Sequence, residues 1–151
     1  MFYSRTLNEK INKLQERALR VVCKNNDMTY QQLLEMENSY TIHERNLQKV
    51  ATEMYKIKHN LSPKLMNDLF TLYEDPEDLR ENKNFLIPKV RTVNYGLETI
   101  RYRGPLIWNL VPLEIKQSKS LVEFRHKIKA WKPIGCTCRL CKLFVKDVGF
   151  I

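Results

Sequence analysis

Three thiols crowd one short window, Cys136-Thr137-Cys138-Arg139-Leu140-Cys141. Zinc prefers soft thiolate ligands, and its tetrahedral shell tolerates this C-x-C-x-x-C spacing on a turn. The window holds no fourth ligand. His126, ten residues upstream of Cys136, is one candidate, and Cys23, Asp147 or a second chain are others. A reduced cluster without metal is the alternative. A redox role is disfavoured, because no βαβ pattern surrounds the thiols. A second group of residues is cationic. Arg91, Arg101, Arg103, Arg125, Lys127 and Lys129 are the candidate phosphate contacts, with Tyr95 and Tyr102 interleaved among them. Aromatics and cations in alternation suit single-stranded nucleic acid, where bases stack and cations track the backbone. The same residues also occur on ordinary half-buried strands.

Catalytic chemistry is harder to find. His43, His59 and His126 lie far apart and have no triad-like neighbour. No Gly-rich phosphate loop exists, and no Asp-Asp pair could hold two metal ions for phosphoryl transfer. The chain is therefore expected not to be an enzyme by itself.

The net charge of +9 is unevenly placed. Residues 1–82 carry 12 Lys/Arg against 13 Asp/Glu, and residues 83–151 carry 14 against 4. All the excess therefore sits in the second half, which points to a polyanionic partner, RNA or DNA. A solvated basic surface is the plainer alternative. No apolar run reaches the roughly 18 residues a membrane span needs, so no membrane partner is expected. The N-terminus lacks the apolar stretch of a secretory signal, which predicts an intracellular protein of cytoplasm or nucleus.

The elements that must hold these groups read mostly as helices. Leu7, Ile11, Leu14, Ala18 and Val22 recur at spacings of three and four, predicting a helix over 7–23 opened by a capping box from Thr6 to Glu9. Cys23 at its end is expected to be a small buried group. Similar boxes, Thr29 to Gln32 and Thr41 to Glu44, predict a short helix through Leu33, Leu34 and Met36 and a longer one to about Lys58. Ser62-Pro63 predicts a fourth, with Pro63 as first helical residue and Leu65, Met66, Leu69 and Phe70 following. Glu74 to Asp78 is an acidic run. Phe85 to Pro88 and Glu98 to Tyr102 read as short strands, Gly104-Pro105 as a turn, and Leu106 to Trp108 as an apolar plug. Ser120 to Glu123 is a last capping box, opening a basic helix with Leu121, Phe124, Ile128 and Trp131 on one face. The expected fold is mainly α: a small helical domain with a short two-stranded or irregular β segment and a terminal basic helix. The expected division is a helical part at 1–73, an acidic linker at 74–84, a basic strand-turn-helix part at 85–132 and a cysteine-containing tail at 133–151.

An ordered series of motifs crosses nearly the whole chain. It runs through Leu14-Gln15-Glu16-Arg17-Ala18-Leu19-Arg20, Tyr40 to Arg45, Tyr55-Lys56-Ile57, Leu61-Ser62-Pro63, Arg91-Thr92, Gly104 to Asn109, Leu110-Val111-Pro112 and Ser120 to Phe124. In order and spacing the series resembles the C-terminal, thumb and post-thumb region of reverse transcriptases from non-LTR (LINE-type, jockey-like) retrotransposons. The tail from Cys136 to Phe150 is similar to the endings of some such elements. The family's aromatic-Ala-Asp-Asp polymerase motif has no counterpart here, so the resemblance implies a non-catalytic piece of an RNA-directed DNA polymerase. It implies contact with template or primer, and the rest of the polymerase as a partner. A structural module that docks on the missing palm, and a small zinc-binding protein, are the alternative readings.

Overall fold

The computed structural model describes residues 5–72, 85–92 and 96–133. They form α1 (Arg5–Cys23), α2 (Tyr30–Met36), α3 (Ile42–Lys58), α4 (Lys64–Asn67), α5 (Ile100–Leu110), α6 (Leu113–Lys116) and α7 (Leu121–Ala130), with a 3-10 turn at Gly96–Glu98. The chain is mainly α, as its periodicity predicts. The expected β segment reduces, among the described residues, to one antiparallel bridge between Leu72 and Phe85. The acidic linker and the cysteine window lie outside the described residues. Two compact units divide within α3, one inside Phe2–Asn46 and one inside Leu47–Ile151.

In the first unit the helix ends follow local chemistry. The Thr29 side chain accepts from the Gln32 backbone at 3.4 Å, while the Gln32 side chain accepts from the Thr29 backbone at 2.9 Å. Thr41 and Glu44 make the same reciprocal pair at 3.2 and 2.8 Å. Each box satisfies donors that a helix start leaves without partners, and each is worth about 1 kcal/mol. The Thr6 box does not form: α1 is already running at Arg5, so Thr6 lies inside it. The end of α2 is closed by Asn38 at φ 45° and a Ser39 N–H to Leu34 carbonyl bond of 2.7 Å. Asparagine serves here because its short polar side chain tolerates the left-handed conformation.

Helix α1 packs in an unexpected orientation. Asn8 is 3% exposed. Gln15 donates to the Tyr40 carbonyl and accepts from the Tyr30 hydroxyl, both at 2.9 Å. The polar flank is thus the packed one, and the apolar stripe, roughly a quarter-turn round the helix, faces outward. Cys23 is half-buried, its sulfur 3.6 Å from a Glu37 carboxylate oxygen, rather than sunk in a core.

The second unit is built on a chain of aromatic rings. Phe70 meets Phe85 edge-on at 5.7 Å, and Phe85 meets Trp108 at 5.9 Å. Trp108 stacks on Phe124 at 6.1 Å, and Phe124 on Tyr55 at 4.3 Å. Each pair adds about 0.5–1.5 kcal/mol beyond its buried area. The buried Tyr55 hydroxyl donates to the Ser118 carbonyl at 2.7 Å, tying α3 to the loop before α7. Gln48 clamps the end of α7 by donating to the Trp131 carbonyl at 2.9 Å.

Several expected elements differ here. Glu98 to Tyr102 is not a strand: the 3-10 turn leads directly into α5. Gly104 and Pro105 do not turn the chain but lie inside α5, and Trp108 is a helical residue. The cause is tertiary. A Cβ on Gly104 would stand 2.6 Å from Met54 Sδ, so the glycine lets α5 approach α3, and that packing outweighs the turn preference of Gly-Pro. Pro63 is the N-cap rather than the first residue of α4, which stops at Asn67 instead of reaching Phe70. Ser120 caps α7 by accepting from the Glu123 N–H at 3.2 Å, but the returning Glu123 carboxylate takes the Lys119 N–H at 2.9 Å, one residue earlier than a capping box requires.

Candidate nucleic-acid interface

The terminal helix sets most of the cation positions. Phe124 and Ile128 are buried, which turns Arg125 and Lys129, neighbours at i and i+4, outward on one flank. Lys127 projects on the opposite flank. It pairs with Glu123 at 2.7 Å and reaches the Glu114 carbonyl at 3.5 Å. An exposed pair of this kind adds little stability, but it neutralises much of the Lys127 charge. Hydrogen bonds from Lys127 and the Lys119 N–H hold the Glu123 carboxyl below the usual range. The three cations of α7 therefore do not form one face.

Arg91 and Arg101 are exposed, Arg101 in the first turn of α5. Arg103 is not available to a ligand in the same way: it is 8% exposed, and its Nε donates to the Leu97 carbonyl at 3.0 Å. Its guanidinium braces the segment before α5 instead of standing exposed as Arg101 does. Tyr102 is half-buried, and Tyr95 lies outside the described residues.

Two cations not singled out in the sequence converge on Trp108. Lys58 at the end of α3 and Lys116 at the end of α6 each place Nζ 5.6 Å from the ring centroid. A cation at this distance is drawn to the ring face by about 0.5–2 kcal/mol, depending on desolvation. Burial first, and then the Lys58 charge, hold the Lys116 ammonium below the ordinary lysine range. His59 lies tilted against the Tyr55 ring with centroids 4.2 Å apart, and burial first, then Lys58, lowers its pKa as well. The aromatic core thus supports a concentration of positive charge. The pairing spans almost sixty residues, so no local spacing announces it. The only local sign is a lysine at the last turn of each helix.

The proposed zinc ligands Cys136, Cys138 and Cys141 lie outside the described residues. His126 sits on the outward side of α7 and is exposed. Among the described residues no group of three metal-ligating side chains comes together. No described helix is long and apolar enough to cross a membrane.

No family model, curated protein or solved structure matches this chain, so its functional reading rests on its own residues.

Proposed function

We propose that this chain is a non-catalytic nucleic-acid-binding module. It corresponds to the region beyond the palm of a non-LTR retrotransposon RNA-directed DNA polymerase and contacts template or primer. The observation that carries the reading is the convergence of Lys58 and Lys116 on Trp108. Both ammonium groups stand 5.6 Å from the centre of one ring, and burial first, then the Lys58 charge, lower the Lys116 pKa; a phosphate beside the pair would favour their charged forms. Arg125 and Lys129 on α7, with Arg101 and Arg91, are further exposed cations that a polyanion could meet. The stretch past residue 82 carries the whole charge excess and supplies five of these six cations.

Fluorescence anisotropy with labelled single-stranded RNA, single-stranded DNA and an RNA–DNA hybrid tests the proposal. Binding is expected at low salt and should weaken linearly in log K against log salt. Lys58→Met with Lys116→Met removes both charges while keeping the apolar stems that cover Trp108, and should weaken binding to all three. Absence of binding at low salt, or identical affinity in the double variant, refutes the reading.

A further inference from the structure

The outward face of α1 has the chemistry of a docking seam. Leu14, Val21 and Val22 are 63%, 78% and 64% exposed, Ala18 is exposed and Ile11 is half-buried between them. Leu7 continues the line at the N-terminal end. Positions 7, 11, 14, 18 and 21 alternate by four and three, the 3.5-residue repeat of a coiled-coil seam. The helix is not short of a packing side, since its Asn8 and Gln15 flank is the one that is engaged. Burying polar groups while leaving leucine and valine in water is the reverse of what an isolated helix selects. Exposed Lys10 and Arg17 border the seam on its far side, with Lys13 and Lys24 beyond them.

We propose that this seam docks a partner protein helix whose own apolar stripe is flanked by carboxylates. The charges select this occupant. In an antiparallel pairing of two α1 helices, the Lys10 and Arg17 edges face each other and repel. In a parallel pairing they face the neutral Gln15 and Val22 edge and gain nothing. A helix with Glu or Asp beside its seam meets the cations directly. A bilayer fits less well. The seam is narrow, α1 contains no aromatic residue, and interfacial helices present a broad apolar face usually armed with Trp or Phe. The inference stands independently of the nucleic-acid reading, which uses the cations of the second unit.

The test titrates the full chain against two synthetic amphipathic peptides of α1 length. Both carry Leu at the seam; one has Glu on its flanks and the other Lys. The Glu-flanked peptide should bind at least about tenfold more tightly. Leu14→Asp should abolish binding, and since Leu14 is exposed its circular dichroism should match the native chain. Lys10→Glu with Arg17→Glu should invert the preference toward the Lys-flanked peptide. Arg125→Glu with Lys129→Glu should leave peptide binding unchanged while weakening nucleic-acid binding. Four results overturn the proposal: equal binding of both peptides; equal loss of peptide binding from the Arg125 and Lys129 changes; Leu14-dependent binding to phosphatidylserine vesicles but not to peptide; and Leu14-dependent self-association in sedimentation.

Discussion

Gly104→Ala should destabilise the second unit, although alanine is the better helix former. The added Cβ would lie 2.6 Å from Met54 Sδ and 3.4 Å from both Met54 Cε and Phe70 Cε1, so the methionine side chain would have to shift. Met54 is fully buried, and overpacking at such a site costs about 1–3 kcal/mol. Helix propensity returns about 1 kcal/mol, leaving a net loss of up to about 2 kcal/mol. Met54→Ala alone opens a cavity and costs about 2–5 kcal/mol. In that background the sulfur is gone, and Gly104→Ala should become stabilising by about 1 kcal/mol. The sign reversal is the informative result. Urea unfolding followed by far-ultraviolet circular dichroism, on all four members of the cycle, measures it. The same cost in both backgrounds would place the strain in the backbone rather than in the α3–α5 contact. A neutral effect in the native background would refute the close approach itself.

Tyr55→Phe keeps the ring that stacks on Phe124 but strands the Ser118 carbonyl, and should cost about 1–3 kcal/mol in the same assay; a loss below about 0.5 kcal/mol would show that the carbonyl finds another donor. Arg103→Met should lower stability by about 1–3 kcal/mol by removing the bond to the Leu97 carbonyl, with nucleic-acid affinity of the folded protein unchanged; a lost phosphate contact would appear instead as a smaller salt slope. Because the His59 pKa is lowered on folding, the unfolded chain takes up the proton first, so stability should fall as pH drops from the ordinary 6.5 through the lowered folded value, and His59→Phe should flatten that slope in denaturation curves. Lys116 shifts in the same direction, so stability should rise as pH climbs from its lowered value toward 10.5, a rise that Lys116→Met removes.

What was legible in the sequence was local chemistry. The reciprocal pairs at Thr29–Gln32 and Thr41–Glu44 depend on residues three apart, and both formed. Of the stripe expected on α7, Phe124 and Ile128 are buried within the helix, Trp131 is buried as its C-cap and Leu121 is half-buried. The differences between expectation and structure arise from contacts made across long distances in the chain. Gly-Pro is a turn signal until Met54, fifty residues earlier, demands a glycine inside a helix. The spacing on α1 marks a helix, but periodicity does not say which flank of it packs: Asn8 is buried while Leu14 and Val22 are exposed. Arg103 reads like its neighbour Arg101, and only folding buries one and exposes the other. Lys58 and Lys116 carry no local mark beyond a place in the last turn of a helix, because what they share is a distance to the Trp108 ring that only folding sets.

The salt dependence of single-stranded RNA binding tests the central claim most directly. Each phosphate contact contributes about 0.7 to the log–log slope on a single strand. The native chain should bind at low salt with a steep linear fall, and Lys58→Met with Lys116→Met should reduce that slope by about 1.4. A native chain that does not bind at low salt, or a double variant that keeps the full slope, would contradict a phosphate-binding role for the cations gathered at Trp108.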